Sequence, residues 1–142
     1  MVCALVTAAM AALQAAPAVA ARVERVRLRA LPTSVNQAVV VRPVATDTGE
    51  TEMATGWPIT WTSRLAVECY ARVPQGAAPD LALDALIEAV YQRLMTDATL
   101  GGVAIVLVPQ GISYEFEADG EGTAAAILQF SAQQRTTGSS LT

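Results

Sequence analysis

The stretch Ile59-Thr60-Trp61-Thr62-Ser63-Arg64-Leu65-Ala66-Val67-Glu68-Cys69-Tyr70-Ala71-Arg72 decides the fold, because it alternates with a period of two. Ile59, Trp61, Leu65, Val67, Cys69 and Ala71 fall on one side, and Thr60, Thr62, Arg64, Glu68 and Arg72 on the other. Successive side chains of a strand point to opposite faces of its sheet, so this reads as a long strand with one dry and one wet face. Trp61 and Cys69 are expected on the dry side, in the core, and that side needs a covering layer.

The next segment supplies one. Pro74, Gly76 and Pro79 end the strand, and Leu83, Leu86, Ile87, Val90 and Leu94 then form the apolar stripe of a helix. Asp84, Glu88 and Gln92 lie outside at i, i+4 spacing, Asp80 stands where an N-cap is expected, and Gly101-Gly102 is expected to stop the helix. Val103 to Val108 is a continuous apolar run suited to a buried strand. Tyr114, Phe116 and Ala118 then alternate with Ser113, Glu115 and Glu117. Asp119-Gly120 suits a tight hairpin turn, and Ala124 to Ser131 reads as the last strand.

Toward the N-terminus, Arg25, Arg27 and Arg29 alternate with Val26, Leu28 and Ala30, which places three guanidinium groups on one strand face. Leu31-Pro32-Thr33 breaks this strand, Ala38 to Val41 resumes an extended run, and Pro43 is expected to close it. Thr46 to Pro58, with Glu50, Glu52 and Trp57, is polar, acidic and turn-rich and reads as a long arm. Leu5, Val6, Ala9, Met10 and Leu13 fall on one face of an amphipathic helix. The apolar run Val2–Leu13 before Ala18-Val19-Ala20 also has the outline of a secretory signal, yet no basic residue precedes Arg22. Cleavage there would make the chain a small secreted or periplasmic binding domain. The helix is the preferred reading.

The element order is therefore α-β-β-β-α-β-β. Neighbouring strands are mostly joined by hairpins, so the expected fold is α+β: a two-layer sandwich, mainly an antiparallel sheet, with two helices on one face. Residues 1–135 form a single domain, and 136–142 a flexible polar tail.

Composition narrows function by exclusion. The 142 residues contain no histidine and no lysine; nine arginines face 13 acids for a net charge of −4. Without histidine there is no Ser-His-Asp or Cys-His nucleophile and no imidazole base, and without lysine no Schiff base or P-loop lysine. The chain is expected to be no enzyme and to use no cofactor. Cys3 and Cys69 cannot make a four-ligand metal site and read as buried, reduced thiols. Glu115-x-Glu117-x-Asp119-Gly120 begins like a calcium loop, but position twelve is Ala126 where a glutamate is needed, so these acids read as the wet face of a hairpin. No metal site is expected.

What remains is a surface that holds a partner. Arginine favours bidentate pairing at interfaces, so Arg25, Arg27 and Arg29 are candidate docking residues, with Glu50, Glu52, Glu115 and Glu117 as acidic complements. Trp57, between Gly56 and Pro58, is a candidate anchor because a loop aromatic can fill a partner's pocket.

The order of elements, the turn Asp97-Ala98-Thr99-Leu100-Gly101-Gly102 after the second helix, and the terminal strand Ile127-Leu128-Gln129-Phe130-Ser131 running to Gln134-Arg135-Thr136 are similar to the tail terminator, or tail completion, proteins of long-tailed bacteriophages, the lambda U-type family. The resemblance covers nearly the whole chain. It implies a homo-hexameric ring that caps the tail tube protein, halts its polymerisation and faces a head-tail connector protein, with transient contact to DNA passing through the lumen and none to membrane. It further implies a virion protein at the head-proximal end of the tail, assembled in the cytoplasm of a bacterial host.

Overall fold

The computed structural model describes residues 1–25, 36–48, 58–73, 78–116, 123–137 and 141. The elements are helix α1 (Val2–Gln14), strands β1 (Arg22–Arg25), β2 (Gln37–Thr48) and β3 (Pro58–Arg72), helix α2 (Pro79–Met95), and strands β4 (Val106–Phe116) and β5 (Thr123–Thr137). The expected α-β-β-β-α-β-β order is the observed one.

The strands form one five-stranded sheet in the order β1-β2-β3-β5-β4. Three of the four pairings are antiparallel and β1 runs parallel to β2. Both helices cover the same face. The core gathers Leu5, Val6, Ala9 and Leu13 of α1, Leu83, Leu86, Ile87, Val90 and Leu94 of α2, and Val39, Val41, Leu65, Val67, Cys69, Leu128 and Phe130 of the sheet. The stripes read from periodicity are thus the surfaces that meet, with Met10 at the margin, partly buried against them. This is the α+β two-layer fold.

Several local expectations give way to tertiary context. Pro43 does not end β2, which continues through Thr48 with a register shift between Pro43 and Ala45. Among the described residues the β1 ladder covers β2 from Ala38 to Val41, and Pro43 lies beyond it. The arm accordingly begins later than Thr46, since Asp47 pairs with Thr62 inside the sheet. Pro79 takes the first turn of α2 and Ala78 the cap, which leaves Asp80 one step inside, favourable to the helix dipole but not capping. The helix ends at Met95 with Thr96 as its C-cap, ahead of the glycines.

The largest correction concerns the run Val103–Val108. It is not a buried strand: β4 starts at Val106 and forms an edge of the sheet, where Ile105 and Val108 are 50% and 41% exposed. At the other end of the chain, β5 runs to Thr137, two residues into the expected tail, and Thr136 is buried. Trp61 is half-buried rather than core, because its indole N–H donates to Thr136 Oγ1 at 2.7 Å, a polar partner at the rim of the core.

Candidate assembly interface

The loop after α2 organises the start of β4. The Asp97 carboxylate accepts hydrogen bonds from Thr99 N at 3.0 Å, Thr99 Oγ1 at 2.5 Å and Gly101 N at 2.9 Å. These donors favour the charged form, the Thr99 hydroxyl most, and hold the carboxyl below its ordinary range. The chain then passes through left-handed backbone at Leu100 (φ 50°), Gly101 (73°) and Gly102 (88°). Glycine suits the last two, while Leu100 accepts the strain because its side chain is buried. Ala104 N donates to Thr99 O at 2.9 Å, and Ile105 N to Gln133 O at 2.7 Å, so the loop delivers the chain onto the edge of β5.

The edge strand so formed is apolar. No charged residue occurs between Asp97 and Glu115. Along it Ile105, Val108, Ile112 and Tyr114 are 50%, 41%, 43% and 54% exposed. Long, uncharged edges invite strand addition, and folded chains usually blunt them with charge or proline. Here Pro109 and the register shift between Pro109 and Gly111 interrupt the edge only at its middle. Ile112 and Tyr114 pair with Leu128 and Ala126, both buried under the helices, so they lie on the helix side of the sheet but outside the helices' cover.

Beside the start of β4 is an open notch of about 400 Å³, lined by Met1, Ala4, Val103, Ile105, Gln134 and Arg135 among others. Gln134 is 8% exposed, and its Nε2 donates to Val103 O at 3.1 Å, which fixes the amide's orientation. Its Oε1 is buried without a hydrogen-bond partner among the described residues. Leaving a buried acceptor unmet costs about 1–3 kcal/mol.

Of the residues singled out from sequence, Arg25 and Glu115 are described. Arg25 sits on β1, the edge opposite β4, and its guanidinium reaches Thr7 Oγ1 at 3.1 Å and Cys3 O at 3.4 Å. Part of its bonding capacity therefore fastens β1 to α1. Glu115 is exposed on β4. The structure does not bring the two together within a chain but sets them on opposite edges of the sheet. Arg27, Arg29, Glu50, Glu52, Trp57 and Glu117 lie outside the described residues. Cys69 is buried as expected and burial pushes its thiol up to about 12, whereas Cys3 is exposed on α1. Among the described residues no group of three metal-ligating side chains gathers, and no helix is long and apolar enough to cross a membrane. Sequence reasoning missed Ile105, Val108, Ile112 and Gln134. For the first three the signal was available in the charge-free run from Ala98 to Tyr114; for Gln134 there was none.

The chain is similar in fold to a chain of the virion of a native gene transfer agent particle. The match has a TM-score of 0.59 and 15% identity and covers 94% of this chain and 95% of that one. At that identity the likeness is one of fold. No protein-family model matches the chain, and no curated protein matches it in sequence.

Proposed function

We propose that this chain is a structural virion protein of a tailed, phage-like particle, and specifically a tail terminator. Copies assemble into a homo-hexameric ring that caps the completed tail tube, ends its polymerisation and forms the surface that meets the head connector, with DNA passing through the lumen. The observation that carries this reading is that basic Arg25 on β1 and acidic Glu115 on β4 stand on opposite edges of one sheet. A ring built from heterologous contacts needs two different complementary patches per subunit, set apart so that each copy can meet two neighbours. The likeness over nearly the whole chain to a component of a gene transfer agent virion supports the same reading. The role is one of holding: no catalytic step and no cofactor belongs to it.

The test is genetic and visual. Particles assembled without this chain should carry tails of unregulated length that fail to join heads, and labelled chain restored to them should sit at the head-proximal end of the tail. Tails of normal length joined to heads in its absence would overturn the reading.

A further inference from the structure

We infer that the free chain, before it enters any particle, pairs with a second copy of itself through β4, antiparallel and about a two-fold axis near Pro109 and Gln110. The proposal concerns the unassembled protein and does not rest on the tail reading.

The register of β4 selects this arrangement. Leu107 pairs with buried Ala132 and so faces the helix side, as do Ile112 and Tyr114 beyond the register shift; Val106, Val108 and Ser113 face the other side. Residues opposite each other in an antiparallel pair must share a face. Setting Ile105 opposite the partner's Tyr114 also sets Val106 opposite Ser113, Leu107 opposite Ile112 and Val108 opposite Gly111, and every one of these pairs shares a face. Pro109 and the irregularity beside it then fall on the axis, where the two strands need make no ladder bond. A shift of one residue puts every pair on opposite faces and is excluded.

Shifts of two residues keep the faces matched, and charge chooses among them. With Ile105 opposite Tyr114, the partner's Glu115 arrives at the notch that Ala104 and Ile105 line together with Arg135. Neither Glu115 nor Arg135 has an ion pair among the described residues. The two-fold axis makes this contact twice. The exposed Ile105, Val108 and Ile112 are covered in the same step, which removes an edge that would otherwise recruit strands indiscriminately. Pair and ring compete for this edge, so the pair opens when a particle takes up the subunit.

Light scattering on the purified full chain at low ionic strength tests this. The wild type should have the mass of two chains. Glu115→Arg and Arg135→Glu, each shown folded by circular dichroism, should each be monomeric at concentrations where the wild type pairs. Mixed one to one they should recover the two-chain mass, because the mixed pair restores both opposite-charge contacts. A monomeric or ring-forming wild type, single reversals that still pair, or a mixture that stays monomeric would each overturn the proposal.

Discussion

The Arg93 guanidinium, on α2, donates to the Pro17 carbonyl at 2.6 Å while its second terminal nitrogen donates to Ala15 O at 2.7 Å and Ala12 O at 3.0 Å. One cationic fork thus gathers the carbonyls left over where α1 ends, the place where a helix has unmet acceptors and a negative dipole end. The C-cap of one helix is supplied by the other, which fixes the first helix against the second.

Replacing Arg93 should therefore cost more than a surface arginine usually does. Arg93→Ala is expected to destabilise by about 2 kcal/mol, read from the urea midpoint, because charge-assisted bonds to three carbonyls go at once. Arg93→Lys should recover only part, as an ammonium cannot span the set in a fork. A midpoint within error of wild type for Arg93→Ala would mean that water caps α1 equally well.

The same clamp bears on residues 1–20. Leu5 and Leu13 are fully buried, so α1 belongs to the core. Leu13→Ala should cost about 2–5 kcal/mol by the cavity it leaves, and a chain starting at Ala21 should lose its cooperative unfolding transition. A stable, cooperative truncated chain would restore the reading of this segment as a removable leader.

Much of this fold was legible because its decisive patterns are local. On β3 the core residues Leu65, Val67, Cys69 and Ala71 fall at every second position, and the buried residues of both helices follow i, i+3, i+4 spacing, so these two periods were enough. What escaped depends on neighbours rather than on the segment itself. The run from Val103 to Val108 has the hydropathy of a covered strand, but whether helices reach over it is decided by the placement of α2 on β3 and β5, and they stop short. Pro43 has the chemistry of a stop, yet it falls beyond the described β1–β2 ladder, and β2 continues past it. Gln134 is a polar letter in a polar stretch, and nothing in its spacing tells that the fold buries it with one acceptor unmet. The arginine candidates were found by their alternation, which places charges on a face without saying which one, like Arg25, is already occupied within its own chain.

The two thiols should separate cleanly under an alkylating reagent. Cys3 is exposed, while burial raises the Cys69 thiol to about 12 and leaves almost no thiolate at neutral pH. Mass spectrometry should show one adduct within minutes on the native chain and a second only in denaturant. Two rapid adducts would mean that β3 opens far more readily than its core position implies.

Asp97 gives a pH dependence with a definite sign. Its folded pKa is lowered, chiefly by the Thr99 hydroxyl and then by the Gly101 and Thr99 amides, so its contribution is fully present above the unfolded value of about 3.9 and is lost as pH falls through the lower, folded one. Asp97→Asn turns one oxygen into a donor facing another donor and should destabilise the loop at pH 7. The gap between variant and wild type should narrow below pH 4, as the wild-type carboxyl also takes up its proton. Urea midpoints measured from pH 7 down to pH 2.5 read this directly, and a gap that stays constant would mean the carboxylate's charge contributes nothing.

The last prediction concerns the ring, where the proposed β1 edge of one subunit meets the acidic side of the next. Arg25 is held by Thr7 and Cys3 of its own chain, so Arg25→Ala should act mainly on folding. Arg27→Glu should act on assembly, since alternation separates it from Arg25 by a single residue on the same strand pattern. An exposed ion pair is worth only about 0–1 kcal/mol, but every boundary of a closed ring repeats the term, and screening weakens all of them together. Rings should accordingly open with rising salt, and Arg27→Glu rings should already be open in dilute buffer. Glu117→Arg in the same chain should close them again if Glu117 is the partner. Sedimentation velocity distinguishes rings from smaller species in each case. Arg27→Glu rings that survive dilution as well as the wild type would show that these arginines are only solvated, and would move the contact to the apolar edge of β4 alone.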